Sequence, residues 1–299
     1  MAEFFQHIID GISVGAIYAL IALGYTMVYG VLKLINFAHG DVFMVGAMMG
    51  WYVARWTGES RSPSIGGALL VTVASMLICG CLGFVIERLA YRPLRGSPRL
   101  NSLITAIGVS FFLEYGGQYV FGPNPRVFTV LPRHAGLHVG PVSLGYVDVV
   151  TVIVSVALML ALQRIVFHTR MGTAMRAVSF NATVASLMGV NIDRVISFTF
   201  VLGSVLAAVA GILYASKYPS VQPLMGLMPG LKAFVAAVLG GIGNVPGAML
   251  GGLVLGLAEQ IVSGYLSSSW RDAVAFGILI LVLLVRPTGL LGRGEAEKV

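Results

Sequence analysis

Charge is what this chain has least of. Asp, Glu, Lys and Arg make up 10% of its 299 residues, where a soluble domain carries about 25%. So little charge cannot cover a water-facing surface, which excludes a soluble globular protein. Cysteine is nearly absent as well. Cys79 and Cys81 lie two apart in an apolar run, a pattern that gives neither a disulfide framework nor a metal site. No Gly-rich Walker A loop is present, so binding ATP in that way is excluded. His39-Gly40-Asp41 offers two ligand types with no third nearby, and neither metal nor other cofactor is expected. Residues 1–10 hold Glu3, His7 and Asp10 with no basic n-region, so no cleavable signal is expected. The net charge of +7 is confined to stretches between apolar runs. That distribution sets membrane orientation and does not point to nucleic acid.

What the chain has in abundance is hydrocarbon. Hydrophobic residues are 57% of the total and the mean hydropathy is +0.90. The expected fold class is an all-α polytopic membrane protein, a single domain over 1–299. Its length allows eight or nine spans of about 20 residues. Spans are expected over 11–32, 42–54, 64–86, 101–121, 147–163, 195–216, 248–263 and 270–285. Residues 230–239 are too few to cross unless they start within protein. Arg88, Arg92, Arg95 and Arg99 crowd one loop, and Arg164, Arg170, Arg176 and Arg194 another. Positive residues gather on the cytoplasmic side, which puts both loops inside, the N-terminus outside and the C-terminus inside. The 122–145 loop, with Arg126, Arg133, His134 and His138, then falls outside.

Two stretches resemble each other. In 34–50 and 239–256 a polar, Gly-containing break opens an apolar helix. Interrupted helices in corresponding halves point to a transport pathway, because irregular backbone at membrane depth must be buried in protein or line a wet cavity. Asn36, His39, Asp41 and Asn244 are therefore the pathway candidates. Glu114 and Glu259 are intramembrane carboxylates, functional candidates by default, with Glu259 expected near a membrane face.

The segment 167–194 is the long polar interlude. Asn181 can cap a helix through its side-chain oxygen, residues 182–188 form one, and Gly189 can close it in the left-handed conformation. On these residues alone the short helix either lies on lipid headgroups or docks on another protein.

Several long runs, in order, resemble a known family. They are GYTMVYGVLKLINFAHGDVFMVGA from Gly24, IERLAYRPLR from Ile86, TRMGTAMRA from Thr169, SLMGVNIDRVISFTFVLG from Ser186, GLKAFVAAVLGGIGNVPGAMLGGLVLGLAE from Gly230 and LILVLLVRPTGLLGR from Leu279. They are similar to the permease subunits of bacterial ABC importers for branched-chain amino acids, of the H type in leucine/isoleucine/valine systems. The 122–145 loop departs from that pattern. The resemblance implies an ABC importer permease fold in the inner membrane, without enzymatic activity of its own. It implies ABC ATPase subunits, a second homologous permease and a periplasmic solute-binding protein as partners, and an amino-acid substrate. It also implies that the short helix enters a groove of the ATPase, with Arg176, Asn181, Ala182, Ala185, Leu187, Met188 and Gly189 in the coupling element and Ala185 facing the groove. The alternatives are a permease for urea, short amides or other amino acids, and a stand-alone secondary carrier. A carrier needs no docking helix.

Overall fold

A computed structural model describes residues 2–131, 137–139 and 142–292. Arg133, His134 and the tail from Arg293 lie outside the described residues.

One helix threads the centre. α1 (Ala2–Leu32) has no proline and almost no charge after its first turns, so nothing interrupts it over 31 residues. Its middle is fully enclosed, with Ile17, Leu20, Ile21 and Leu23 inaccessible. α8 (Ile192–Lys217) and α10 (Val245–Tyr265) pack against it. Small residues set those distances: a Cβ at Gly15 would stand 2.9 Å from the Leu253 Cα. In lipid the gain from such contacts comes from backbone approach, since hydrocarbon outside is as apolar as leucine. The Gly46 side of α2 (His39–Thr57) meets α8 in the same way, where an added Cβ would lie 2.6 Å from the Ala208 Cα.

α3 (Ile65–Ile86), α4 (Arg99–Phe121), α5 (Tyr146–His168) and α11 (Arg271–Val285) form the periphery. Their outward residues are large and apolar, among them Leu69, Phe112, Ile153 and Leu284. That inverts the soluble pattern and fits a lipid surroundings. Six helical segments among the described residues are long and apolar enough to cross a membrane, including α1, α5, α8 and α10. α4, at 23 residues, is about 35 Å long and also runs the height of the bundle.

The two ends of the bundle are held differently. At one end the hydroxyl of Ser13 donates to Asp148 (2.7 Å), and Lys217 pairs with Asp148 and stands 3.7 Å from Asp10. There β1 (Arg126–Val127) pairs antiparallel with β4 (Ser220–Val221), and the Trp51 indole donates to the Val127 carbonyl. A second antiparallel pair at this end joins β2 (Leu137–Val139) to β3 (Val142–Leu144). At the opposite end Arg92 and Arg95 both pair with Asp193, and Arg95 also with the buried Glu87. Both arginine-rich loops thus lie at the same end, as their composition suggests.

Candidate functional site

The chain leaves α1 at Leu32 and turns back into the bundle. Lys33 adopts φ +56°, a conformation uncommon for a residue with a side chain. Asn36 is buried in the returning segment and accepts a 2.9 Å hydrogen bond from the Tyr91 hydroxyl. α2 then starts beside Gly24, since a Cβ there would collide with His39. Gly24 precedes the end of α1 by eight residues, so α2 begins about 12 Å inside the bundle.

A second helix starts at the same depth. α9 (Leu227–Gly240) follows a turn at Gln222–Met225 and opens against Gly40. A Cβ on Gly40 would stand 2.8 Å from the Gly226 carbonyl oxygen and 3.1 Å from the Gly230 Cα. From this junction α2 climbs toward Val127 while α9 descends toward Gly243, which packs on Gly30. With 19 and 14 residues they measure about 28 and 21 Å, together close to the length of α1. They are two half-helices that meet N-terminus to N-terminus. The short segment that could cross only by starting within protein does start there. The pairing of 34–50 with 239–256 is corrected: α10 is full length, and the half-helix that answers α2 is α9. The second break is a tight turn, with Gly240 and Gly247 in backbone contact.

The pathway candidates separate accordingly. Asp41 is buried at the junction, where the Ser110 hydroxyl donates to it at 2.5 Å. Glu114, one turn on along α4, lies against Asp41 and is 5% exposed. Both line a cavity of about 50 Å³ with Tyr25, Gly226 and Gly230. His39 fills the notch at Gly24, edge-on to Tyr25 with ring centroids 4.9 Å apart, and packs α2 onto α1. Asn244 stands at the end of the bundle. Its oxygen accepts from the Gly247 amide, its nitrogen donates to the Leu291 carbonyl (2.6 Å), and it caps α10 while tethering the C-terminal segment. Neither faces the junction cavity.

A buried ion pair was not foreseen. Lys232 on α9 and Glu259 on α10 are 6% and 4% exposed and are bonded to each other, and Asp272 reaches the same ammonium at 2.7 Å. Glu259 is enclosed by protein, six residues before the end of α10. Lys232 is the lone charge in an apolar helix, and that alone marks an intramembrane lysine for notice.

The interlude folds as two helices. α6 (Arg170–Phe180) is capped by Thr169, whose hydroxyl accepts from the Gly172 amide. α7 (Ala182–Leu187) is capped by Asn181 accepting from Val184 at 3.0 Å. It ends at Gly189 with φ +84°, where the Val190 amide reaches back to the Ala185 carbonyl and the Gly189 amide to Ser186. This is the Schellman closure expected of a glycine in that place. Phe180, Leu187 and Met188 are more than 80% exposed and Val184 about half. Phe180, Val184 and Met188, with Asn181 and Arg176, border a hollow of about 430 Å³. Ala182 is exposed beside them. Ala185 lies at the floor of that hollow and is 4% exposed, so the small residue also seats α7 on its own bundle. Arg176 donates to the Val166 carbonyl (2.6 Å) and stacks on Phe167, so it ties α6 to α5.

Comparison with known proteins matches this chain to transport permeases. The family of "Branched-chain amino acid transport system / permease component" matches residues 7–283. The chain is 44% identical to the high-affinity branched-chain amino acid transport system permease protein LivH of Escherichia coli, over 99% of this chain and 98% of that one. It is 42% identical to BraD of Pseudomonas aeruginosa with the same coverage. A probable LivH of Methanocaldococcus jannaschii is 25% identical over 91% of this chain and 88% of its own.

Proposed function

Since this chain belongs to the family of branched-chain amino acid transport system permease components, we propose that it lines half of the pathway of an ATP-driven importer for leucine, isoleucine and valine. It works in the inner membrane beside a second, homologous permease. A periplasmic binding protein delivers the amino acid at the Lys217 end. Separate ATPase subunits dock at the Asp193 end, on α6 and α7. The single observation that supports docking is the exposed apolar face of Val184, Leu187 and Met188 on a helix capped at both ends, with Phe180 beside it at the end of α6. A rigid element that shows leucine and methionine to water has a partner to cover it. Motion of the ATPases is passed through α7 and Asn191, whose side chain caps α8 directly, into a helix that packs on α1, α2 and α3.

The test is purification with the subunits encoded beside it and reconstitution in liposomes. Leucine uptake that requires ATP, the ATPases and the binding protein is the expected result. Uptake by this chain alone, driven by an ion gradient, would favour a secondary carrier and overturn the importer reading.

A further inference from the structure

The junction of α2 and α9 is an electrostatically two-sided cavity. Two helices of 19 and 14 residues aim their N-termini into it from opposite directions, and a helix N-terminus carries roughly half a positive charge. The close packing of Gly40, Gly226 and Gly230 brings those two ends to the same point, with the Tyr25 hydroxyl beside them. On the other wall stand the carboxylates of Asp41 and Glu114. Ser110 and Glu114 share one face of α4, four residues apart, and Ser110 spends its hydroxyl on Asp41.

Glu114 is the observation that calls for a ligand. It is 95% enclosed and lines the cavity, yet no lysine, arginine or hydroxyl among the described residues reaches it. Its polar neighbour is another carboxyl group, that of Asp41. Elsewhere in this bundle buried carboxylates have partners: Glu259 has Lys232, and Glu87 has Arg95 and Ser197. Two carboxyl groups in contact satisfy each other only while they share a proton, and without it both present acceptors to the cavity.

We propose that this cavity seats the zwitterionic head of an amino acid, its carboxylate toward the N-termini of α2 and α9 and its ammonium on Asp41 and Glu114. A lone anion would meet two carboxylates, and a lone cation two positive helix ends. A ligand that carries both charges a few ångströms apart is matched by both walls. The volume of about 50 Å³ is a few times the roughly 10–15 Å³ that holds one water, which admits a head group and not a whole branched residue. The side chain then lies over Phe37, Leu227 and Leu231, the apolar part of the same lining. The amino acid's identity is read weakly here and its backbone strongly.

This assignment rests on the importer reading above. Its test is ATP-driven uptake of radiolabelled leucine by the reconstituted complex, with E114Q, E114D and D41N beside the unmutated chain. Gln keeps the size of Glu114 and can donate to Asp41, so a purely structural carboxyl pair survives E114Q. The expected result is an assembled E114Q complex with uptake lowered at least tenfold, a similar loss in D41N, and partial activity in E114D. Uptake within twofold of the unmutated chain in both E114Q and D41N overturns the assignment. So does failure of E114Q to assemble, which would make Glu114 a structural residue. If the unmutated complex imports no leucine at all, the importer reading and this one fall together. If it does and the variants match it, only this one falls.

Discussion

Lys232 and Glu259 show at the scale of single residues what a membrane interior permits. A charge taken from water costs several kcal/mol unless it is paired, and both members here are more than nine-tenths enclosed. The pair joins α9 to α10, and Asp272, half exposed at the start of α11, adds a third helix. Removing one partner leaves the other as an uncompensated buried charge. Lys232→Met should therefore destabilise the protein by about 3–5 kcal/mol, while the double change with Glu259→Leu should recover most of that loss. Thermal unfolding of the detergent-purified single and double variants gives the comparison. Equal losses from Lys232→Met with and without Glu259 would show that the two are not coupled. Other residues act through what they lack. Gly24 makes room for His39, and Gly40 lets two helices touch through their backbones.

At the scale of elements, α7 separates a buried residue from exposed apolar ones. Ala185 seats the helix on its own bundle, while Leu187 and Met188 project from it. Each large apolar side chain buried in a partner gives about 1.5–3 kcal/mol. Leu187→Ala with Met188→Ala should weaken ATPase association by roughly a hundredfold or more, at about 1.4 kcal/mol per factor of ten. Membrane insertion should be unchanged, because neither residue lies in a span. Co-purification titrated with ATPase subunits measures it, and unchanged affinity would move the docking face away from α7. The helix was legible in the sequence because its signals are local: Asn181 accepts from an amide three residues on, and Gly189 supplies a positive φ. Which side of it faces home was not legible, since six residues make less than two turns and the seat for Ala185 is made by distant chain. The same limit hid the α2–α9 junction. Its glycines are 186 and more positions apart in the chain, and only folding shows that Gly226 and Gly230 answer Gly40. Lys232 could have been flagged from its type, but its partner on another helix could not.

At the scale of the whole molecule the question is which end faces the cytoplasm. Arg92 and Arg95 meet Asp193 at the foot of α8, so the loop after α3 and the α6–α7 segment share one end. The other end carries Lys217, Asp148, the β1–β4 pair and Arg126, which is stacked on Trp51 and Tyr52. Positive residues count toward orientation whether or not they are later paired, because the rule acts during insertion. Arg88, Arg92, Arg95, Arg170, Arg176 and Arg194 then outweigh Arg55, Arg61, Arg126 and Lys217 in favour of a cytoplasmic α7 end. Two positions report this without disturbing the fold. Gly96 is exposed and has open space where a Cβ would go, and Ser60 is exposed in the loop after α2. With Cys79 and Cys81 replaced by alanine, Ser60→Cys should react with a membrane-impermeant maleimide on cells whose outer membrane alone is permeabilised. Gly96→Cys should react only after the inner membrane is opened. The reverse pattern would put Leu187 and Met188 in the periplasm, where no ATP-hydrolysing subunit can reach them, and the coupling role of α7 would be lost along with the orientation.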